Sequence, residues 1–310
     1  MPRPKYQEQT VELPAEFIPG KIGVVTVTYG SGEVLPDFFA SLDKQVYRNF
    51  MLVAVDNQSQ DSTLDQLRAY KGCELILIPN DKNLGVATGN NQGIRAAIQA
   101  GCEYVLLLNN DVVFGAELFQ QLVDGLAEHN CQMTTPIMYY HDRANVIWAA
   151  GGYFQPLLGY RSLHYGDGDE DAGQHASAKP VAYTPTCCVL VQREVFARIG
   201  LMDERYFVYS DDTDFMLRAW KAGLKLWLLP QVKLWHKVSS LTGTGSLFRT
   251  HYVYRNRAFY LTKHCWAVAI PFFTLAYRLH FALRRLLGKD KQEVSERKRS
   301  AWKEGLSIEG

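Results

Sequence analysis

The sequence predicts an α/β fold with a Rossmann-like, mainly parallel central sheet that is flanked by helices. Short apolar runs alternate with helix-like stretches through the first third of the chain, and this alternation is typical of βαβ units with parallel strands. Two of the apolar runs break abruptly into small polar residues. The chain has 310 residues, of which 47% are hydrophobic, so it is able to bury a large core.

The individual elements follow from the local pattern. Strands are predicted at residues 22–29, 51–55, 75–78 and 104–108, and helices at residues 34–42, 62–70 and 91–100. The strands are continuous apolar runs, which favours strands that are buried on both faces. Their connections are expected to be right-handed. Residues 114–185 show a mixed pattern, in which the glycine-rich, acidic segment 166–173 indicates a loop or flap.

Charge and cysteine content narrow the functional classes. Lys and Arg total 33 against 32 for Asp and Glu, so the overall charge gives no argument for nucleic-acid binding. The six cysteines show no CxxC spacing, which favours unpaired thiols in a reducing compartment. The first twenty residues carry charge, Pro and Gln rather than an apolar core, which predicts that there is no signal peptide and that the protein is cytoplasmic.

The strand predicted at residues 104–108 ends in Asn109-Asn110-Asp111. Open α/β sheets bind their ligands at the carboxyl ends of their strands. Asp111 offers a hard oxygen ligand for Mg²⁺ or Mn²⁺ bound to phosphates, and the two amides add no charge. The alternative is an Asx-rich turn that merely follows a strand.

The strand predicted at residues 51–55 ends in Asp56. A carboxylate at this edge is able to accept a hydrogen bond from a base imide or a ribose hydroxyl. The alternative is that Asp56 belongs to a turn in which Asp61 or Ser62 caps the next helix.

Residues 80–93 combine glycines and amides before the helix predicted at residues 91–100. Such a loop lets backbone N–H groups approach an anionic oxygen. It matches neither the P-loop nor the GxGxxG pattern, which disfavours generic kinases and dehydrogenases.

Three acids, Asp211, Asp212 and Asp214, stand before the helix-like segment 215–220. Acids in the first turn of a helix commonly serve as caps and dipole partners. Neighbouring carboxylates also raise each other's pKa, which suits a general base that works near neutral pH.

Five motifs in order carry a family resemblance: residues 24–29, 56–59, 83–93, 109–111 and 209–214. Together they resemble family 2 glycosyltransferases of the GT-A fold, in particular the bacterial branch that includes rhamnosyltransferases of surface polysaccharide synthesis. The resemblance covers roughly residues 20–260, and several ordered motifs are more specific than any single one.

The resemblance implies a nucleotide-sugar donor and a divalent metal, Mg²⁺ or Mn²⁺. It assigns donor binding to Thr28, Asp56, Asn83, Gly85, Gly89, Asn91, Asn109, Asn110 and Asp111. The usual Asp-x-Asp metal motif is replaced by Asn109-Asn110-Asp111. His236 resembles the late metal-binding histidine of the family and is the expected second ligand, although a lone histidine is otherwise structural or on the surface.

By the same resemblance Asp212 is the catalytic base, Asp211 supports it or contacts the acceptor, and Asp214 stabilises the helix. Trp148, Gly151 and Gly152 resemble the acceptor-side turn of the family and are assigned to acceptor binding. Arg255 and Arg257 are added to this group because segment 251–257 is basic and aromatic, and either arginine is suited to hold a diphosphate bidentately. A single Trp is otherwise a core residue. Residues 184–191 resemble the small-residue segment of the family that lies under the donor sugar.

The C-terminal stretch 265–287 is apolar but is interrupted by Pro271, Arg278, Arg284 and Arg285. It lacks the roughly 20 uncharged residues of a membrane-spanning helix. Two interpretations stay open: an amphipathic segment in the membrane interface, or a helix packed on the catalytic domain or in an oligomer interface.

The predicted domains are an N-terminal arm at residues 1–20, a GT-A catalytic domain at residues 21–258 and a helical extension at residues 259–310. Within the catalytic domain, residues 21–115 form the nucleotide-sugar half and residues 116–258 the acceptor and catalytic half.

The function implied is an inverting, metal-dependent glycosyltransferase that moves a sugar, rhamnose being favoured, from a dTDP- or UDP-sugar. The acceptor is a glycan or lipid-linked saccharide in cell-surface polysaccharide synthesis, at the inner face of the cell membrane. One alternative is a nucleotidyltransferase, but residues 29–32 lack the basic glycine-rich signature expected of that class. The other is a catalytically silent scaffold that binds nucleotide-sugars.

Overall fold

A computed structural model describes residues 9–237 and 246–308. The strands are β1 (Ile18–Thr28), β2 (Phe50–Asp56), β3 (Glu74–Pro79), β4 (Cys102–Leu108), β5 (Val112–Phe114), β6 (Met133–Tyr140), β7 (Ile147–Ala149), β8 (Gly152–Gln155), β9 (Arg161–His164), β10 (Lys179–Val181), β11 (Cys188–Gln192) and β12 (Leu226–His236). The helices are α1 (Leu35–Asp43), α2 (Thr63–Ala69), α3 (Val86–Gln99), α4 (Leu118–Glu128), α5 (Arg193–Ile199), α6 (Asp211–Lys221), α7 (Leu247–His264), α8 (Ile270–Leu286) and α9 (Gln292–Ser307).

A mixed sheet forms the centre of the molecule, with strand order β10-β12-β6-β11-β4-β1-β2-β3. The prediction of parallel strands in the first half is confirmed, because β1 pairs in parallel with both β2 and β4, and β2 pairs in parallel with β3. Since the chain passes from one side of β1 to the other, a crevice opens at the carboxyl ends of β1 and β4. β11 enters antiparallel beside β4, and β12 runs parallel to β6.

The core lies on both faces of the sheet. Alternate residues of a strand point to opposite faces, and β1 shows this directly. Val25 belongs to the apolar cluster on the α3 side, whereas Val24 belongs to the cluster that includes α1 and α4. Both residues are fully buried, as a continuous apolar strand predicts.

Helix α3 corrects one prediction, since it begins at Val86 rather than at residue 91. Gly85 takes a left-handed φ of +85° and starts the helix. A Cβ on Gly89 would stand 2.8 Å from Val27 Cγ1, and a Cβ on Gly93 would stand 2.4 Å from Val25 Cγ1. These two glycines therefore bring the helix close to β1 and do not form the predicted anion-binding loop.

The last three helices form a layer of their own. Ile270 and Phe281 of α8 are buried in an apolar cluster with residues of α7 and α9, including Trp302. One face of the stretch 265–287 is thus packed on protein, as the second interpretation expected. Helix α7 runs through residue 258, so the boundary predicted there falls inside a helix. No helix within residues 9–237 and 246–308 has the length and apolarity needed to cross a bilayer.

Candidate active site

The predicted site residues gather where β1, β2 and β4 end, together with the end of β12 and the start of α6. β12 pairs antiparallel with β5, which places His236 opposite Val112. The Lys237 amide also donates to the Asp111 carbonyl at 2.8 Å. This pairing brings a residue far along the chain beside the strand end at Asp111.

Asp56 is buried at the end of β2, opposite Thr28 in the β1–β2 register. Its Oδ1 accepts from the Thr28 hydroxyl at 2.8 Å and from the Ser59 hydroxyl at 2.5 Å, and its Oδ2 accepts from the Ser59 amide at 3.0 Å. Asp61 holds the start of α2 by accepting from the Thr63 amide. An ionised carboxylate has about four acceptor positions, so Asp56 keeps capacity for a ligand after these three bonds.

A chain of amides fixes the turn that precedes α3. Asn57 donates to the Gly85 carbonyl at 3.1 Å, and the Gly85 amide donates to Asn83 Oδ1 at 2.9 Å. Asn83 therefore shapes the Gly85 turn beside Asp56.

The donor role of Asn91 and Gly89 stays a prediction, and the structure places both residues against protein. The Asn91 side chain is fully buried and bonds to the Met202 backbone and to Glu204. Gly89 faces β1, as described above. Both residues lie on the packed side of α3, because the helix starts earlier than predicted.

The three polar residues after β4 differ in exposure. The Asn110 side chain is buried and donates to the Val27 carbonyl at 2.8 Å, which ties the end of β4 to β1. The Asn109 amide donates to the Cys187 carbonyl at 2.9 Å, and its side chain is exposed. Asn110 thus holds the strand ends together, while Asn109 is accessible from solvent.

Asp111 and His236 form a pair beside them. Asp111 Oδ1 lies 3.1 Å from His236 Nε2, and both groups are buried. Burial lowers the pKa of His236, but Cys187 and Asp111 outweigh burial and raise that pKa to about 10.

This pair fits a divalent cation that is shared with phosphate. Once His236 has given up its proton, its Nε2 and the facing Asp111 Oδ1 are suitable ligands for Mn²⁺. Mg²⁺ is commonly held by one or two carboxylates with phosphates and water. Within residues 9–237 and 246–308, no group of three His, Cys, Asp or Glu side chains forms a metal cage. The remaining ligands would therefore come from the diphosphate and from water.

The acidic segment at the start of α6 contains two kinds of carboxylate, and the first kind is the pair Asp211 and Asp212. Asp211 is buried, and burial together with the Asp212 charge raises its pKa to about 8. Asp212 is partly exposed, and its Oδ2 accepts from the Tyr183 hydroxyl at 2.7 Å. Its Oδ1 accepts from the Thr213 amide at 2.6 Å.

Asp214 is the second kind. It is fully buried, with the cations Arg218 (Nε) at 2.8 Å and Lys263 (Nζ) at 2.9 Å and the His264 imidazole (Nε2) at 2.7 Å. Burial alone raises the pKa of Asp214, but Lys263 and Arg218 outweigh burial and hold the pKa well below its usual range. Asp214 therefore joins α6 to α7.

A row of rings links the acid pair to the Asp111–His236 pair. The Tyr183 ring stacks on His164 at 5.5 Å, His164 meets Trp148 edge-on at 5.4 Å, and Trp148 meets His236 at 4.4 Å between centroids. Trp148 is partly exposed. The two pairs thus border one continuous surface.

Gly151 and Gly152 act on this row through the backbone. The Gly152 carbonyl accepts from the Tyr183 amide at 3.2 Å, and a Cβ on Gly152 would stand 2.2 Å from the Leu163 carbonyl oxygen. A Cβ on Gly151, whose φ is +68°, would stand 2.7 Å from Val181 Cγ1. The two glycines allow the close approach that positions Tyr183.

The acceptor role of Arg255 and Arg257 stays a prediction, and the structure shows both side chains bonded within the protein. Arg255 pairs with Glu304 of α9 at 2.8 Å and donates to the Arg205 carbonyl. Arg257 donates to the carbonyls of Leu158 and Gly159. Helix α7 directs both guanidinium groups toward neighbouring segments, where they form hydrogen bonds and an ion pair within the protein.

A family model described as glycosyl transferase family 2 matches residues 23–200. The chain belongs to this family. Its fold is that of GT-A glycosyltransferases, with a central sheet, flanking helices and additional C-terminal helices. The scaffold and nucleotidyltransferase interpretations give way to a hexosyltransferase related to rhamnosyltransferases of surface polysaccharide synthesis.

Two curated relatives illustrate this kinship. The N-acetylglucosaminyl-diphospho-decaprenol L-rhamnosyltransferase of Mycobacterium tuberculosis is 27% identical over 256 residues, covering 71% of this chain and 77% of the relative. The dTDP-rhamnosyl transferase RfbF of Shigella flexneri is 23% identical over 223 residues, covering 70% and 69%. Among solved structures, a mannosyltransferase from Pyrobaculum calidifontis in complex with GDP-Man and Mn²⁺ superposes with a TM-score of 0.53 at 17% identity, covering 99% of this chain and 80% of that one.

Sequence reasoning missed three residues of this glycosyltransferase: Ser59, His164 and Tyr183. Ser59 stands three residues after Asp56, a spacing at which a carboxylate accepts from the local backbone and could have been recognised. Tyr183 and His164 reach the site only through the pairing of distant segments, and no local pattern marks them.

Proposed function

We propose that this glycosyltransferase moves a sugar, with inversion, from a nucleoside diphosphate sugar to an acceptor hydroxyl, with Asp212 as the base. The observation that carries the proposal is that two carboxylates with different partners, Asp111 and Asp212, lie at the two ends of one row of aromatic rings. Asp111 stands 3.1 Å from His236, whereas Asp212 is held by Tyr183 and Thr213. One pair suits the leaving diphosphate, and the other suits the attacking hydroxyl.

The donor side is formed by Asp56, Asn109, Asp111 and His236. Asp56, fixed by Thr28, accepts from the base or the ribose. Asp111 and His236 would hold Mg²⁺ or Mn²⁺, whose charge stabilises the diphosphate as it leaves. The exposed side-chain amide of Asn109 contacts the donor next to Asp111 and His236.

Asp212 performs the proton transfer. As the acceptor oxygen forms its bond to the anomeric carbon, the bond from that carbon to the diphosphate breaks on the opposite side. The hydroxyl proton passes to Asp212. Burial and the charge of Asp212 raise the pKa of Asp211 to about 8, so Asp211 favours its neutral form at neutral pH. Tyr183 and Thr213 orient the two oxygens of Asp212.

The donor and acceptor are proposed from the relatives. One relative is named for dTDP-rhamnose and the other for L-rhamnose transfer to N-acetylglucosaminyl-diphospho-decaprenol. We infer that a dTDP- or UDP-sugar, with rhamnose preferred, is the donor and that a lipid-linked or other glycan is the acceptor. A lipid-linked acceptor places the enzyme at the inner face of the cell membrane.

A panel of nucleotide-sugars, incubated with Mg²⁺ or Mn²⁺ and assayed for nucleoside diphosphate release, tests the proposed reaction. Release is expected to be fastest from dTDP-rhamnose. Asp111→Ala should abolish metal-dependent donor binding in calorimetry, because the diphosphate loses its counterion site. Asp65→Ala is the matched control, since the Asp65 side chain is 85% exposed on α2. Unchanged affinity of Asp111→Ala for the nucleoside diphosphate, with and without metal, would contradict the assignment.

A further inference from the structure

Helix α8 presents an apolar row to solvent. The row consists of Phe272, Leu275, Leu279, Leu283 and Leu286, which are between 54% and 83% exposed. Their spacing of three and four residues places them on one helix face. The opposite face of α8 is packed on α7 and α9 through Phe281. The exposed row therefore takes no part in the packing among these three helices.

The apolar surface continues beyond α8. Trp266 and Val268, just before the helix, are 84% and 76% exposed. Leu157 and Leu158, at the tip of the β8–β9 hairpin, are 94% and 50% exposed. The docking surface is defined here as the α8 row, the segment with Trp266 and Val268, and this hairpin tip.

The hairpin tip is joined to the helical layer by direct contacts. Arg257 of α7 donates to the Leu158 carbonyl at 2.5 Å and to the Gly159 carbonyl at 3.0 Å. A Cβ on Gly159 would stand 3.1 Å from Phe273 Cζ of α8. The tip and α8 therefore belong to one surface. A contiguous apolar area of this kind commonly marks an interaction site.

The α8 part of this surface is basic. Residues 265–289 contain Arg278, Arg284, Arg285 and Lys289 and no Asp or Glu, and of these cations Arg284 is paired with Asp290. In a symmetric pair of copies, two such surfaces would face each other with like charges, which disfavours a second copy as the partner. Anionic headgroups over an apolar interior match both properties.

A cavity between α8 and α9 adds a specific feature. Its volume is about 420 Å³, and it is lined by Arg278, Phe281, Arg299, Trp302, Lys303 and Leu306. Trp302 Nε1 is buried there without a hydrogen-bond partner. Three cations and an unsatisfied N–H donor form a suitable site for a phosphate oxygen.

We infer that the docking surface binds an anionic lipid bilayer, with the phosphate of one headgroup in the cavity between α8 and α9. This inference rests on the proposed function for its biological purpose. β9, the second strand of the hairpin, carries Ser162, whose Oγ lies 3.4 Å from Thr213 Oγ1, next to Asp212. The hairpin thus spans from the bilayer contact to the base, so a lipid-anchored acceptor approaches Asp212 from the membrane side.

The binding test uses the full chain and vesicles of phosphatidylcholine with and without phosphatidylglycerol. A variant with Leu279→Ser and Leu283→Ser should reduce the vesicle-bound fraction by about tenfold or more. Val46→Ser is the control, because Val46 is 57% exposed in the loop after α1, outside the docking surface. Nucleoside diphosphate release in solution should be the same for all three proteins, since none of these residues contacts the site.

A second variant addresses the cavity. Arg299→Gln with Lys303→Gln should remove most of the preference for phosphatidylglycerol vesicles and leave binding that no longer depends on salt. Inorganic phosphate should not release the wild-type protein from vesicles. Release by phosphate would show a site for the free ion and would overturn the headgroup assignment.

The outcomes separate this inference from the proposed function. Wild-type protein that releases nucleoside diphosphate but ignores anionic vesicles at low salt overturns the docking surface and leaves the function intact. Vesicle binding without turnover of any nucleotide-sugar overturns the function and leaves the docking surface intact. A wild-type dimer that the Leu279 and Leu283 changes convert to a monomer, without vesicle binding, identifies the surface as an interface between copies and overturns the inference.

The orientation is tested at the hairpin tip. Leu157→Ser with Leu158→Ser should lower transfer to an acceptor embedded in vesicles at least about fivefold more than transfer to a short soluble acceptor. Equal losses with both acceptors would overturn the approach from the membrane side.

Discussion

Asp212 and Asp214 lie within one turn of α6, yet their surroundings differ in nearly every respect. Asp214 is fully buried, Arg218 and Lys263 balance its charge, and the His264 imidazole contacts it as well. Asp212 is partly exposed and is held by a phenol and a backbone amide. The surroundings decide the role of each carboxylate. Asp214 is enclosed by cations and holds two helices together, whereas Asp212 is partly exposed and is available to react with a substrate.

Asp211 extends the comparison. It is as buried as Asp214, but burial and the adjacent Asp212 charge raise its pKa, whereas cations lower that of Asp214. The same start of α6 therefore contains one carboxyl that favours its neutral form and one that is firmly ionised. Such divergent pairs are common at catalytic sites.

The largest expected effect is on stability at Asp214. Asp214→Ala removes the carboxylate that Arg218 and Lys263 both contact, so that Lys263 keeps only the Asp203 part of its ion-pair contacts. Losing one partner of a buried pair costs about 3–5 kcal/mol. Urea denaturation should show this loss, while Asp65→Ala on exposed α2 stays within about 0.5 kcal/mol of wild type. A loss below about 1 kcal/mol at Asp214 would mean that the cluster does not hold α6 to α7.

Asp211→Asn should instead raise the free energy of unfolding, by an amount that depends on pH. The folded-state pKa of about 8 lies above the usual 3.8, so the folded protein holds an extra proton between about pH 4 and pH 8. The free energy of unfolding therefore falls as pH rises through this window. Asn cannot ionise, so the variant should gain at least about 1.4 kcal/mol over wild type between pH 5 and pH 8. Parallel pH profiles of the two proteins in urea denaturation would contradict the raised pKa.

The smallest expected effect is at Tyr183. Tyr183→Phe keeps the ring in its row but removes the hydrogen bond to Asp212, which is worth about 1 kcal/mol. We expect kcat for transfer to fall roughly five- to tenfold, with the donor KM unchanged. Tyr140→Phe removes a similar bond, to Asp167 at 2.9 Å on the surface, and should leave both quantities as in wild type. A kcat of Tyr183→Phe close to that of wild type would show that Tyr183 does not position the base.

The first half of the fold was predictable because its strands are continuous apolar runs. Strands β1 to β4 lie close to their predicted positions, and the polar residues that follow β2 and β4 meet at one edge, as a parallel sheet requires. Helix α3 was placed too late because Gly89 and Gly93 look like loop residues in a sequence. Their real constraint, contact with Val27 and Val25, is visible only in three dimensions.

The site was predictable where a motif supplies the residue and unpredictable where a distant residue completes it. Asp111 and His236 were expected together from the family resemblance, and pairing of β5 with β12 brings them together. The basic, aromatic segment around Arg255 suggested ligand binding, but its arginines bond to protein carbonyls and Glu304. A sequence shows which side chains are able to bind an anion and does not show which are already occupied.

The comparison of transfer rates between Asp212→Asn and wild type tests the central claim most directly. Asn keeps the size of Asp212 and much of its hydrogen bonding but cannot accept the acceptor proton. We expect sugar transfer to fall by about 10² or more while calorimetry shows donor binding unchanged. Transfer by Asp212→Asn at a rate close to that of wild type would show that the base is another residue.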